Sequence, residues 1–263
     1  MNDQTTQPEL LKEVVNGVAS LTLNRPKQRN ALSMSLMSAL ITAFENIATD
    51  SSVNVVVLKG NGPGFCSGHD LKEMRADQKE ETYRRIFERC ARMMTAIVEL
   101  PQPVIARVHG IATAAGCQLV ATCDLAIATE DARFATPGVN IGLFCSTPMV
   151  ALSRNVGRKH AMEMLLTGDM IDAATAQRVG LINRAVPESE LDHAVAELAR
   201  KIASKSALSL KLGKEAFYRQ LECGLQDAYK YTAAVMVRNM LADDASEGID
   251  AFLEKRTPVW SGT

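Results

Sequence analysis

The sequence predicts a mixed α/β core followed by a helical C-terminal subdomain. Short runs of β-branched residues alternate with amphipathic helical patterns in the first half of the chain, as in layered α/β folds. After Pro148 the pattern becomes almost wholly helical. We therefore predict a core over residues 1–190 and a helical subdomain over residues 191–263. A length of 263 residues, 47% hydrophobic, is ample for a sizeable core.

The chain begins with a predicted strand pair around Val14–Val15 and Val18–Leu23, joined by a turn at Gly17. Ser33 is a plausible N-cap for the next helix, whose apolar residues recur at spacings of three and four through residue 47. The β-branched run Val53–Leu58 predicts a buried strand. Residues 59–64 alternate glycine with other residues, so we expect a glycine-rich loop there.

The middle of the chain repeats this alternation. An amphipathic helix over residues 80–100 is stopped by prolines, and short strands, a small-residue loop and a short helix follow. The predicted elements are the strand Val104–Val108, the loop Gly110–Gly116, the helix Cys117–Thr122, the strand Leu125–Ala128 and a short strand from Phe134.

The C-terminal part has helical periodicity with little strand beyond Leu181–Val186. The predicted helices are Met149–Arg154, His160–Leu166, Ala173–Val179, Glu188–Ser204, Ala207–Gln220 and Asp227–Leu241.

The charge balance excludes some partners. With 29 basic against 30 acidic residues the net charge is -1, which gives no general attraction to nucleic acid or to an anionic membrane. An anionic ligand therefore needs a local site. The N-terminus lacks the features of a targeting segment, and no apolar run approaches the roughly 20 residues of a membrane helix. We expect a cytoplasmic protein.

The six cysteines are scattered without paired CxxC spacing. Cys117 and Cys123, with only His109 nearby, have poor spacing for zinc. We expect free thiols, mostly buried, and no metal site.

Two strand-to-helix corners could carry chemistry. In the first, Gly68 immediately precedes an expected helix start, a position that presents backbone N–H groups to an anionic oxygen. In the second, the small residues of the loop 110–116 let a ligand approach the backbone closely. Neither corner has the Gly-Lys-Ser/Thr ending of a phosphate-binding loop.

These corners belong to a wider pattern of four ordered blocks. The blocks are LNRP (23–26) with NALS (30–33), GFCSGHDLKEM (64–74), GCQLVATCDLAIA (116–128) and GIDAFLEKR (248–256). With them the chain resembles the crotonase superfamily, the enoyl-CoA hydratase/isomerase group, over nearly its whole length. The stretches 132–148 and 255–260 are similar to the branch called enoyl-CoA hydratase domain-containing proteins.

The resemblance implies a crotonase-like spiral of ββα units whose helical part forms a homotrimer or a dimer of trimers. It implies that the backbone N–H groups of His69 and Ala115 hold the oxygen of an acyl-CoA thioester, with coenzyme A as part of the substrate and no other cofactor. The implied coenzyme A contacts are Arg25, Lys27, Cys66, Ser67, Gly68, Asp70, Leu71, Lys72 and, from a neighbouring subunit, Lys255.

The chain departs from the family where hydration needs acid and base. The two glutamates of the hydratases correspond to Gln118 and Gly138 here, and neither residue can exchange a proton at neutral pH. Residues 139–147 contain no carboxylate that an isomerase could use instead. Since acid–base groups contribute ~10²–10⁴ in rate, we expect inefficient hydration of a simple enoyl-CoA.

Several side chains remain as alternatives near the expected reaction centre. Gln118 could orient a water, and Ser146 or Thr147 could contact substrate, although both also suit an N-cap before Pro148, the role that we favour. Cys145 as a nucleophile requires a base that the sequence does not identify. The ring of His69 is a further acid–base candidate.

Two functions remain open. The first is an enzyme of acyl-CoA or fatty-acid metabolism, a lyase or isomerase that would be classed with the enoyl-CoA hydratases. The second is a non-catalytic acyl-CoA-binding or regulatory protein, which the missing glutamates favour. A structural α/β protein without a coenzyme A site is the least favoured interpretation.

Overall fold

The computed structural model describes residues 7–263. The N-terminal stretch read above for targeting signals begins in residues 1–6, which lie outside the described residues. The strands are β1 (Leu10–Val15), β2 (Val18–Leu23), β3 (Val55–Gly60), β4 (Val104–Val108), β5 (Ile111–Thr113), β6 (Leu125–Thr129), β7 (Arg133–Ala135), β8 (Ile171–Asp172) and β9 (Arg184–Val186). The α-helices are α1 (Met34–Ala48), α2 (Leu71–Ala76), α3 (Glu80–Glu99), α4 (Ala115–Thr122), α5 (Pro148–Asn155), α6 (Arg158–Thr167), α7 (Ala173–Arg178), α8 (Glu188–Ala203), α9 (Ala207–Leu221), α10 (Leu225–Met240) and α11 (Asp243–Glu254).

The strands form two sheets that the chain builds alternately. The larger has the order β1-β2-β3-β4-β6-β9, and the smaller the order β5-β7-β8. The β1–β2 hairpin is antiparallel and turns at Gly17, whose φ is 77°, whereas the other neighbours in the larger sheet are parallel. In the pairs β4–β5 and β6–β7, the first strand joins the larger sheet and the second joins the smaller one before a helix follows. This is a spiral of ββα units, which confirms the predicted mixed α/β class.

Local sequence patterns predicted several boundaries of helices and strands correctly. Ser33 caps α1, because its Oγ accepts the N–H of Leu36 at 3.1 Å. Several other boundaries were wrong. β3 continues through Lys59 to Gly60 because it pairs in parallel with β2 there. Residues 111–113, expected as a loop, form β5 by pairing with β7, so α4 begins at Ala115 rather than at residue 117.

The larger sheet is covered on both faces. Its second face packs Val55, Val57, Ile105 and Ile127 against apolar residues of α8. A division at residue 190 would therefore separate α8 from the sheet that it covers. The packing favours a helical subdomain that begins after α8 and comprises α9, α10 and α11, the last of which has no counterpart among the predicted helices.

A buried ion pair attaches α9 to the core. Lys214 on α9 donates to Asp124 at 2.7 Å and to the carbonyl oxygens of Ile97 and Gln102, at the end of α3 and just before β4. Tyr218, one turn further along α9, donates to the same carboxylate at 2.8 Å. Burying these charged groups is tolerated because each is paired and hydrogen-bonded.

The described residues provide neither a membrane-spanning helix nor a metal-binding cluster. Within 7–263, none of the helices has both the length and the apolar character that crossing a bilayer requires. Over the same range, no three His, Cys, Asp or Glu side chains come together in a way that could hold a metal ion.

Candidate functional site

The two corners identified in the sequence lie against each other. Cys66 and Ala112 form a parallel β-bridge, in which the N–H of Cys66 donates to Ile111 at 3.1 Å and that of Thr113 donates to Cys66 at 3.0 Å. The hydroxyl of Thr113 adds a bond to the carbonyl of Ser67 at 3.1 Å. The loop after β3 is therefore fixed to the strand that leads into α4.

Glycines permit this close approach. A Cβ on Gly116 would lie 2.1 Å from the carbonyl oxygen of Cys66, so no larger residue fits there. Gly68 has a φ of +97°, and a Cβ on it would lie 3.2 Å from the backbone nitrogen of Ala115. The backbone next to His69 and the backbone next to Ala115 are therefore nearly in contact.

The N–H groups of His69 and Ala115 have no protein acceptor among residues 7–263. The bonds on either side of His69 go to Leu32, which accepts from Asp70 at 3.1 Å and donates to Gly68 at 2.7 Å, leaving the N–H of His69 free. Ala115 is the first residue of α4, where N–H groups have no partner within the helix. Ala114 before it has φ 50° and ψ −119°, a strained conformation of the kind found at functional sites.

Both residues line one cavity of about 860 Å³. Its exposed cationic residues are Lys27, Arg29 and Lys72. Much of the remaining wall is apolar, formed by Leu71, Met74, Phe87, Ile141, Leu143 and Phe144. The cavity therefore combines positive charge with an apolar chamber, and both residues with a free N–H group lie on its wall.

Arg25, one of the expected coenzyme A contacts, does not line the cavity. Its guanidinium pairs with Glu9 at 3.0 Å and Asp70 at 2.9 Å, and it also donates to the carbonyl of Ala31. Two carboxylates already neutralise this cation, so the guanidinium is not available to bind a phosphate. Arg25 fixes Asp70, which caps α2 by accepting the N–H groups of residues 72 and 73.

Asp70 is held in its ionised form. Burial acts to raise the pKa of its carboxyl, but the hydrogen bond from Arg25 and the two backbone donors outweigh it, so the net pKa is lowered. Its neighbours Ser67, Leu71 and Lys72 line the cavity as expected, as does Lys27.

Three other expected contacts do not line it. Cys66 is buried and donates to the carbonyl of Asn30 at 3.2 Å, and burial raises the pKa of its thiol to about 12. Gly68 acts through its backbone geometry, and Lys255 lies at the end of α11. The sequence reasoning missed Arg29, which continues the alternate spacing of Arg25 and Lys27 and could have been found from it.

The imidazole of His69 forms part of the cavity wall. Its ring meets the ring of Phe87 edge-on, with centroids 5.5 Å apart and an interplanar angle of 86°. Burial lowers the pKa of this histidine to about 4, so the ring is neutral at pH 7. Its Nε2 is shielded and has no hydrogen-bond partner in the described part of the chain.

Gln118 and Gly138, which stand where the hydratases have glutamates, lie in different surroundings. Gln118 is 5% exposed, does not line the cavity and accepts a long contact from the thiol of Cys90 at 4.0 Å. Gly138 lines the cavity in a short 3-10 helix, Pro137–Ile141. A Cβ there would lie 2.7 Å from the carbonyl oxygen of Leu143 and 2.9 Å from the Sγ of Cys145. Residues 143–145 therefore close over the space that a glutamate at 138 would need.

The residues before α5 do not cap it as expected. Thr147 occupies the N-cap position in a helical conformation without a side-chain bond, and the hydroxyl of Ser146 donates to Phe144 at 3.4 Å. The favoured capping role of these hydroxyls was wrong, because the turn is closed by the N–H of Met149 donating to the carbonyl of Cys145 at 2.9 Å. Burial raises the pKa of the Cys145 thiol, which disfavours it as a nucleophile.

Known proteins resemble this chain over nearly its whole length. The enoyl-CoA hydratase/isomerase family profile matches residues 13–263. The chain belongs to this family. The human protein "Enoyl-CoA hydratase domain-containing protein 3, mitochondrial" is 48% identical over 94% of this chain and 82% of its own length. The Escherichia coli protein 2,3-dehydroadipyl-CoA hydratase is 36% identical over 97% of this chain and 99% of its own.

Solved structures confirm the crotonase fold of this family member. An enoyl-CoA hydratase from Mycobacterium smegmatis matches with a TM-score of 0.95 at 54% identity, covering 97% of this chain and 99% of that one. The human domain-containing protein 3 matches with a TM-score of 0.93 at 46% identity, covering 96% and 100%. Membership of the crotonase superfamily and resemblance to this branch are thereby confirmed.

The expected cytoplasmic location is contradicted. Relatives from human, Xenopus laevis and rat, at 46% to 48% identity, are all named as mitochondrial proteins.

Proposed function

We propose that this enoyl-CoA hydratase/isomerase family member binds acyl-CoA thioesters and polarises their carbonyl oxygen between the N–H groups of His69 and Ala115. One observation carries the proposal: two adjoining backbone corners each have an N–H group without a protein acceptor, and the residues that bear these groups line the same cavity. Lys27, Arg29 and Lys72 would answer the phosphates of coenzyme A, which a chain of net charge -1 needs a local site to attract.

The chemistry follows from what the two donors do. When an enolate or a tetrahedral intermediate forms, negative charge develops on the thioester oxygen, and fixed N–H donors stabilise it. Removing one such donor typically costs ~10²–10³ in rate. The start of α4 adds a favourable dipole at Ala115.

The cavity has N–H donors to polarise a carbonyl, but the described residues give it no free carboxylate for proton transfer. Among residues 7–263, Asp70 supplies the one carboxylate on the cavity wall, and it is already paired with Arg25 and with the start of α2. We therefore propose polarisation without efficient hydration. The same lack of a free carboxylate favours the second candidate, a non-catalytic acyl-CoA-binding or regulatory protein, and turnover measurements distinguish the two.

We expect crotonyl-CoA labelled with ¹³C at the thioester carbonyl to bind, and its infrared C=O stretch to shift to lower frequency on binding. The shift follows because two hydrogen bonds draw electron density onto the oxygen. In Gly68→Ala the shift should be lost, since a Cβ there would lie 2.9 Å from that of Ala114 and would move the corner. Affinity should fall with added salt because the phosphates are held by exposed cations.

Two results would contradict the proposal. Native protein that binds no coenzyme A thioester would end it altogether. Binding with an unshifted carbonyl stretch would retain a coenzyme A site but remove the polarising role of His69 and Ala115.

We also propose that α9, α10 and α11 form the subunit interface of a homotrimer or a dimer of trimers. Large apolar side chains there are open to solvent in the single chain, among them Leu225 (75% exposed), Leu241 (81%) and Phe252 (81%). Lys255 at the end of α11 would then reach coenzyme A in a neighbouring subunit.

In sedimentation experiments the native protein should have three or six times the mass of one chain. The double variant Leu241→Glu/Phe252→Glu should have a lower mass, because the introduced charges would be buried in the interface without partners. Glu substitutions at the exposed residues Ser51 and Gln78 are a matched control. A monomeric native protein would contradict the interface.

A further inference from the structure

One buried polar side chain joins the two segments on which the proposed function depends. Asn30 is fully buried, and it follows the cationic stretch 27–29 directly in the chain. Its amide oxygen accepts the backbone N–H of Arg25 at 2.9 Å, and its amide nitrogen donates to the carbonyl oxygens of Asn61 and Gly64 at 2.8 and 2.9 Å. Both amide protons and the amide oxygen are therefore used, which leaves the side chain a single orientation.

The backbone at Arg29 and Asn30 adds contacts to the same loop. Both residues are in the left-handed region, with φ of 49° and 54°, which is uncommon for residues other than glycine. The carbonyl of Arg29 accepts the N–H of Ser67 at 3.0 Å, and the carbonyl of Asn30 accepts the thiol of Cys66 at 3.2 Å. This strained turn thus bonds two successive carbonyl groups to the loop that leads into His69.

The bonded segments carry the cations and the corner. Leu32 continues the pairing to both neighbours of His69, so residues 29–32 are hydrogen-bonded along their length to residues 66–70. The side chain of Asn30 extends this pairing to the glycine-rich loop before residue 66. Arg29, which lines the cavity, and the N–H of His69 therefore belong to one hydrogen-bonded unit.

A purely local role for Asn30 would use only part of this arrangement. To close the turn 25–30, the side chain needs its oxygen, which accepts the N–H of Arg25. The two N–H donors instead reach residues that are 31 and 34 positions away in the chain, in the loop that precedes the corner. Oxygen and nitrogen of the same amide thus have separable roles.

We propose that Asn30 is a positioning residue that fixes the spacing between the cations Lys27 and Arg29 and the N–H group of His69. This rests on the proposed acyl-CoA site, which it deepens by assigning the group that sets the distance between its phosphate contacts and its carbonyl contact. A coenzyme A thioester carries its phosphates and its carbonyl in one molecule, so both are bound together only when that spacing is correct.

The test removes the two donors and keeps the acceptor. Asn30→Asp preserves the shape of the side chain and the oxygen that accepts from Arg25, but it turns a second oxygen toward the two loop carbonyls. Asn61→Asp is a matched control, because it adds the same charge to the same loop and breaks a side-chain hydrogen bond to Asn24 at 3.0 Å. The backbone carbonyl of Asn61, which Asn30 uses, is kept.

Dissociation constants for crotonyl-CoA and for free coenzyme A, together with the infrared shift of the ¹³C-labelled thioester carbonyl, measure the effect. Native protein should bind crotonyl-CoA about tenfold more tightly than free coenzyme A, as expected for hydrogen bonds to the carbonyl oxygen. In Asn30→Asp this ratio should fall at least about threefold and the carbonyl shift should be lost. In Asn61→Asp both should remain as in native protein.

A native ratio and carbonyl shift in Asn30→Asp, or an equal loss of both in Asn61→Asp, would overturn this inference and leave the proposed function intact. Native protein that binds no coenzyme A thioester, or binds it with an unshifted carbonyl, would overturn both.

Should Asn30→Asp not fold, hydrogen exchange of the Asn30 side-chain amide in ¹⁵N-asparagine-labelled native protein gives the answer. Exchange should slow more on adding crotonyl-CoA than on adding free coenzyme A, because a ligand held at His69 reduces opening of the loop bonded to Asn30. Equal slowing by the two ligands, or none, would contradict the positioning role.

Discussion

Replacing Gly116 by alanine is expected to lower the free energy of unfolding by about 3 kcal/mol and to abolish acyl-CoA binding. The added Cβ would stand 2.1 Å from the carbonyl oxygen of Cys66 and 2.7 Å from its carbon, and backbone atoms cannot swing aside as a side-chain tip can. Relief requires separating the loop after β3 from α4, which breaks the Cys66–Ala112 bridge. The two N–H groups would then no longer face one oxygen. Chemical denaturation and titration with crotonyl-CoA measure the two effects.

Gly213→Ala is a matched control for this change. Gly213 is exposed within α9 and a Cβ there would meet nothing within 4 Å, so alanine should stabilise the helix by up to about 1 kcal/mol and leave binding unchanged. If Gly116→Ala were as stable as Gly213→Ala and still bound crotonyl-CoA, the close approach of the two corners would not be needed for the site.

Native protein is expected to hydrate crotonyl-CoA more slowly, by ~10²–10⁴, than a family enzyme that has both glutamates. Gln118 and Gly138 cannot take up or release a proton, and Asp70 on the cavity wall is committed to Arg25. The measurement is loss of the enoyl absorbance under saturating substrate. Turnover of around 10 per second or faster would show that another group performs the proton transfer.

Restoring the glutamates is not expected to restore hydration. In Gly138→Glu the new side chain would meet Leu143 and Cys145 within 3 Å, and Gln118→Glu would place a carboxylate beside Cys90 rather than on the cavity wall. The double variant should be less stable than native protein and remain nearly inactive, whereas Gly157→Glu, at an open and exposed position outside the proposed interface, should behave as native. Recovery of hydration to family rates in the double variant would contradict this reading of the 143–145 segment.

The contrast between Arg25 and Arg29 illustrates what sequence reasoning can and cannot reach. Both are basic residues in the same short stretch, and sequence alone gives them equal standing as phosphate contacts. In the structure Arg25 pairs with Glu9 and Asp70, which are 16 and 45 residues away along the chain, while Arg29 lines the cavity. Ion-pair partners that distant are brought together by tertiary packing, so no local pattern could separate the two arginines.

The same limit explains the errors in element boundaries. Ser33 was correctly read as an N-cap because capping depends on a few neighbouring residues. β5 was missed because residues 111–113 are extended through pairing with β7, which lies some twenty residues later. The role of Ser146 and Thr147 depends on the turn closed by Met149 and Cys145, which their residue types do not reveal.

The sequence by itself determined the family, the layered α/β class and the two backbone corners, because glycines, small residues and ordered blocks are local properties. It also determined that the two glutamates are absent. Only the tertiary structure decided that the corners lie against each other, that Gln118 is turned away from the cavity, that residues 143–145 occupy the space beside Gly138, and that the ring of His69 stands unpartnered at the wall. These depend on which distant segments the fold brings into contact, and the physical reason is that side-chain partners and free space are set by packing in three dimensions.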